Sequence, residues 1–127
     1  MPMPATDRGR VLIIDDNDEI RRMLAGVVTS LGYAPIEAGG GAAGLELAIS
    51  AGPDAVCLDL WTDDMRGMDV LDRLHRVRPE LPVIIVTADP LTDMNLGPRT
   101  RAAVDFIVRP FEVAQVRRAL LAALTRS

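Results

Sequence analysis

Two rhythms of apolar and polar positions run along the chain, and each change of rhythm marks an element. Val11-Leu12-Ile13-Ile14 is an unbroken apolar run that stops at Asp15-Asp16, as a strand buried on both faces would. Ile20, Met23, Leu24, Val27, Val28 and Leu31 then recur at helical spacing, and Gly32 stops that helix. Tyr33 to Ala38 reads as a second strand, and Pro35 within it argues for a sheet edge, because proline has no N–H to give a central ladder. A glycine-rich turn leads to a helix over about Ala42–Ala51. Asp54 to Leu60 is the third strand, and Gly67 to Val77 carries Val70, Leu71 and Leu74 on one helical face. Pro82 to Thr87 is the fourth strand and Val104 to Val108 the fifth. Val113, Val116, Leu120 and Leu124 form the apolar stripe of the last helix.

Strands alternating with helices at this spacing predict an α/β fold: a doubly wound, five-stranded parallel sheet with helices on both faces, in strand order 2-1-3-4-5. That order puts the Pro35 strand at an edge. A helix is also expected over Asp89–Arg101, but Gly97-Pro98 opposes an unbroken one, so it should be short, displaced or irregular. Residues 1–9 read as a flexible tail and residues 10–126 as a single domain.

Composition narrows the setting. At 127 residues and 49% hydrophobic content the chain can bury one core. No apolar run approaches the roughly 18 residues of a membrane span, and MPMPATDRGR lacks the apolar centre of a signal peptide. A single cysteine allows no internal disulfide, which favours a reducing cytoplasm. The net charge of -4 gives no reason to expect a nucleic-acid partner. All 14 basic residues are arginines, which excludes chemistry that needs a lysine, such as a P-loop.

In open α/β sheets, sites form at the carboxyl ends of the strands beside the switch in strand order. Here that switch lies between the first strand, ending in Asp15-Asp16, and the third, ending at Asp59. Three carboxylates converging on one spot repel one another unless a cation joins them. Mg2+ suits a site of few carboxylates and several waters. The fourth strand adds the Thr87 hydroxyl, and the fifth is followed by Arg109-Pro110. A carboxylate, a metal, a hydroxyl and a fixed cation are the parts of a phosphoryl-transfer site, with Asp59 as nucleophile and Thr87 and Arg109 against the phosphoryl oxygens. The structural alternative is that Asp15 and Asp16 only cap the first helix and Asp59 only caps a loop. The joint pattern across four strand ends argues against it.

VLIIDDNDEIRRML, AVCLDL, VIIVTA and DFIVRPF, in that order, resemble the response-regulator receiver domain of bacterial two-component signalling. The resemblance implies that Asp59 accepts a phosphoryl group from a histidine kinase or phosphotransfer protein. It implies Asp15 and Asp16 as the acidic pair, and Asp16, Asp59 and the Trp61 carbonyl as direct Mg2+ ligands. It implies Thr87 as switch hydroxyl, Phe106 as switch aromatic, and a downstream protein partner or homodimer bound through the face of the fourth helix, fifth strand and last helix. Such a domain is no enzyme beyond catalysing its own phosphoryl transfer.

The chain departs from the family pattern in several places. The basic residue before the proline is ordinarily lysine, and here it is Arg109. Arginine is a planar fork that can clamp a carboxylate at two points. Arg109 could therefore hold Asp59 and blunt it, or hold the phosphoryl group. Gly67 follows Asp59 by eight residues, a longer loop than the family's usual one, with Arg66 in place of a proline. The insertion brings Asp63 and Asp64 to the rim of the site. They read either as a solvated acidic loop pairing with Arg66 or as extra charge that alters Mg2+ affinity and repels a donor. Val70 stands where a glycine is usual. Arg109, the acidic insertion and the interrupted helix over Asp89–Arg101 support a second reading, a degenerate receiver that binds partners without phosphorylation.

Three other signals compete. Gly39-Gly40-Gly41-Ala42-Ala43-Gly44 fits GxGxxG, with Asp59 twenty residues after Gly39, the dinucleotide fingerprint. It follows the second strand rather than the first, and the chain is short for two nucleotide-binding halves. His75 sits amid arginines on a polar helix face and reads as a solvated residue. Cys57, between Val56 and Leu58, reads as core filler.

Overall fold

Val11, Leu12, Ile13 and Ile14 send apolar side chains to both faces of any sheet they join, so both faces must be covered. All four are fully buried in the computed structural model, which describes residues 8–60, 62–87, 103–108 and 111–125. They form β1 (Arg10–Ile14) of a sheet completed by β2 (Ala34–Ala38), β3 (Ala55–Leu58), β4 (Val83–Thr87) and β5 (Ala103–Val108). All pairs are parallel and the order is β2-β1-β3-β4-β5, as the pattern predicts. Pro35 lies opposite Val11 on the edge strand β2. The described helices are α1 (Asp18–Ser30), α2 (Gly41–Ser50), α3 (Gly67–Val77) and α4 (Val113–Leu124).

The alternation of side chains along each strand splits the core in two. Val11, Ile13, Cys57, Ile84, Val86 and Ile107 pack against Leu24, Val27 and Val28 of α1 and Val116 and Leu120 of α4. Leu12, Ile14, Val56, Leu58, Val83 and Ile85 pack against Ala48 of α2 and Val70, Leu71 and Leu74 of α3. Right-handed crossovers explain the division, because the chain reverses direction across the sheet after β2.

Two strand ends differ from the sequence pattern, and both have a backbone cause. Tyr33 was expected to open β2, yet its N–H donates to Val28 O and closes the end of α1. β3 was expected to run to Leu60 but ends at Leu58. The Leu60 carbonyl instead accepts from Gly67 N at 2.7 Å, which turns the chain towards α3. The helix expected over 89–101 lies outside the described residues, as do residues 1–7 of the expected tail. Gly9 O accepts from Ala34 N at 2.8 Å. Among the described residues no helix is long and apolar enough to cross a membrane.

The Leu60–Gly67 closure needs a residue without a side chain. A Cβ at position 67 would lie 2.3 Å from Leu60 Cα, and main chain cannot yield as a side chain can. Gly67→Ala is expected to lower unfolding free energy by about 1–3 kcal/mol, the usual range for overpacking. A lowered denaturant midpoint would show it, whereas an unchanged midpoint would mean that the loop relaxes freely.

Candidate functional site

Ile14 pairs with Leu58 across β1 and β3, so the next residue on each strand is an aspartate. Asp59 N donates to Ile14 O at 2.9 Å, and Asp15 N donates to Ala38 O at 3.1 Å. The backbone alone thus sets Asp15 and Asp59 side by side at the switch point. Both are buried, at 1% and 4% exposure, and Asp16 is half-buried beside them. One carboxylate oxygen from each of Asp15, Asp16 and Asp59 lies within 4.8 Å of the other two.

Asn17, rather than either neighbouring aspartate, caps α1. Its Oδ1 accepts from Ile20 N at 3.0 Å, and its own N–H donates to Asp15 Oδ1 at 2.9 Å. Asp18 and Glu19 supply negative charge to the first turn. The helix cap is therefore filled without Asp16, and the acidic pair faces Asp59. Unit charges this close repel by roughly 3–4 kcal/mol at an effective dielectric of about 20. Three hard oxygen donors at this spacing fit a divalent cation such as Mg2+.

Sequence reasoning overlooked Arg21. Its half-buried guanidinium donates Nη1 to Asp15 O at 2.8 Å and Nε to Glu37 Oε1 at 3.0 Å, and pairs with Asp18. It ties the β1–α1 turn to the end of β2 and holds positive charge behind the acidic cluster. The only signal in the sequence was the Asp18–Arg21 spacing, common on any helix. Cys57 is buried in the face covered by α1 and α4. Burial first, and then the charge of Asp15, push its thiol up to about 12, so it stays a neutral packing group.

Thr87 ends β4 opposite Val108, at the same sheet edge as Asp59. Phe106 is half-buried on β5, opposite Ile85, and packs against the core on the α2–α3 side. Trp61 and Arg109 lie outside the described residues. His75 is exposed, as its helix face predicted.

The acidic insertion is exposed at Asp63 and Asp64, as a solvated loop would be, but Asp64 also makes a contact that neither sequence reading foresaw. The Asp64 carboxylate reaches across to α2, accepting from Gly41 N at 2.8 Å and Ala42 N at 3.0 Å. The α2 N-cap, Gly40, has no side chain to cap the helix, and Asp64 supplies the cap from 22 residues away. Asp63 stays exposed. The same contact settles the glycine turn. The amides that would cradle a pyrophosphate already hold a carboxylate, and a Cβ on Gly41 would lie 2.8 Å from Met65 Cβ. That glycine is required by the close approach of the loop.

A doubly wound sheet in this order, with an acidic cluster at its switch point, is the architecture of a receiver domain. The sequence profile of the response regulator receiver domain matches residues 11–121, and the chain belongs to that family. It is 33% identical over 112 residues to the chemotaxis protein CheY of Thermotoga maritima, covering 87% of this chain and 93% of that protein. It is 32% identical over 117 residues to the probable transcriptional regulatory protein TcrX of Mycobacterium tuberculosis, covering 92% of this chain. It spans only 50% of that longer relative. The receiver domain of NtrX from Brucella abortus superposes with a TM-score of 0.83 at 28% identity, covering 92% of this chain and 99% of that one.

The Ala42 and Gly41 amides hold Asp64 below the usual carboxylate range. A depressed value means that the cap contributes stability above the unfolded value of about 3.9 and loses it as pH falls through the folded value. Carboxyl titration by NMR should place the Asp64 midpoint below the ordinary aspartate value of about 3.9. The Gly41 and Ala42 amide signals should move with the same midpoint. Independent titration of the amides would contradict the cap.

Proposed function

We propose that the chain is a phosphoacceptor receiver in which Asp59 takes the phosphoryl group. The observation that carries this is the meeting of Asp15, Asp16 and Asp59 at the switch point, with the helix cap already supplied by Asn17. An Asp59 oxygen attacks the phosphorus of a phosphohistidine on a histidine kinase or phosphotransfer protein. An O–P bond forms, the N–P bond breaks, and the leaving imidazole nitrogen keeps the electron pair. Asp16, Asp59 and the Trp61 carbonyl would ligate Mg2+, with Asp15 beside them, and the ion would supply positive charge against the phosphoryl oxygens. Thr87 and Arg109 add a hydroxyl and a cation to the same oxygens. Thr87 follows the new charge, Phe106 changes rotamer, and the face around β5 and α4 shifts its affinity for a protein partner or a second copy.

The same structure weighs on the second reading, a receiver that binds partners without phosphorylation. The acidic insertion was one of its supports, and Asp64 is committed to α2 rather than to the acceptor. Its remaining supports are Arg109 and the interrupted helix expected over 89–101, both outside the described residues.

Trp61 is the only tryptophan and lies two residues from Asp59, so its fluorescence should respond to Mg2+ and then to beryllofluoride. Acetyl phosphate with Mg2+ should add one phosphoryl group by intact mass, and Asp59→Asn should abolish the addition. No addition at saturating Mg2+ would overturn the acceptor reading in favour of the constitutive module. If Arg109→Lys restored the addition, the arginine clamp would be the cause.

A further inference from the structure

The loop between Asp59 and Gly67 is pinned on both sides of Trp61. On one side Leu60 is buried and its carbonyl accepts from Gly67 N at 2.7 Å. On the other, the Thr62 hydroxyl donates to Met65 O at 2.8 Å and lies 3.3 Å from Asp64 Oδ1. The Asp64 carboxylate spans the first two amides of α2, and Met65 and Val70 close over Gly41. α2 in turn packs Gly44 against Ile14, the last residue of β1 before the acidic pair. The insertion is thus folded on itself and fastened to a helix that touches the acidic strand.

We propose that Asp64 is a positioning residue, a latch that ties the inserted loop after Asp59 to α2 and so favours metal binding. The inference rests on the proposed function, in which the Trp61 carbonyl is a metal ligand. Asp64 itself binds neither metal nor phosphoryl group. It replaces the freedom of a long loop with a bidentate contact to main-chain amides, so less loop ordering is left to be offset when the ion binds. Sequence position alone would make Asp63 and Asp64 equivalent acids at the rim, whereas the structure gives only Asp64 this role.

Four variants separate positioning from charge. Asp64→Ala removes the latch and one charge. Asp63→Ala removes one charge only. Asp64→Asn keeps an oxygen that can accept from an amide. Gly41→Ala keeps every carboxylate but drives a Cβ into Met65. Two readouts apply to each: amide exchange at Gly41 and Ala42 without metal, and the Mg2+ dissociation constant from Trp61 fluorescence at fixed ionic strength.

Asp64→Ala should speed exchange at both amides and weaken Mg2+ by roughly fivefold, the scale of a lost cap. Asp63→Ala should change Mg2+ affinity by less than about twofold, as a screened surface charge does. Asp64→Asn should recover most of the Mg2+ loss, and Gly41→Ala should reproduce it. Equal Mg2+ losses in Asp63→Ala and Asp64→Ala would overturn the latch in favour of charge. Faster exchange with unchanged Mg2+ affinity would reduce Asp64 to a helix cap. A parent chain that binds Mg2+ but takes no phosphoryl group would refute the acceptor reading while leaving the latch measurable. One that binds no Mg2+ would overturn both.

Discussion

A main-chain hydrogen bond, from Asp59 N to Ile14 O, underlies the rest of the site. It continues the β1–β3 ladder one step past the strand and sets Asp59 beside Asp15. The contact is made by backbone, so the two residues are set side by side whatever their carboxylates bind. Holding them together against their repulsion takes a rigid frame. The frame comes from two apolar layers, one on each face of the sheet, in which Val11 through Ile14 are wholly buried. Arg21 braces the same turn from behind through the Asp15 carbonyl.

Acidic residues around this point divide into separate tasks. Asp15, Asp16 and Asp59 each bring one carboxylate oxygen within 4.8 Å of the other two. Asp18 pairs with Arg21 on α1, and Asp64 supplies the missing cap of α2. Asn17 completes the division by capping α1 with a neutral side chain. The separation matters electrostatically. An anion at a helix N-terminus is stabilised by the amides and the helix dipole, so Asp64 keeps its charge without adding an unpaired carboxylate to the acceptor.

The long loop and the glycine turn explain each other. Gly40 offers no side-chain cap, and Gly41 leaves the space that Met65 occupies. The loop brings the carboxylate that the helix start lacks, and the helix start provides the two amides that the loop needs. Neither segment is intelligible alone, which is why the glycines matched a nucleotide-binding pattern in sequence.

Local sequence determined the layers, the strand order and the acidic cluster. Continuous apolar runs demand burial on both faces, Pro35 demands an edge, and parallel strands carry their last residues to one rim. Those rules act over a few residues and are readable in one dimension. Tertiary structure decided the ends of β2 and β3, where Val28 O and Gly67 N compete for backbone groups. It also decided the brace by Arg21 and the partner of Asp64. The Arg21–Glu37 and Asp64–α2 contacts join groups 16 to 23 residues apart, and an aspartate's identity does not say which amide will reach it. The position of Asp64 was plain in the sequence, but its partner existed only once α2 and the loop had packed.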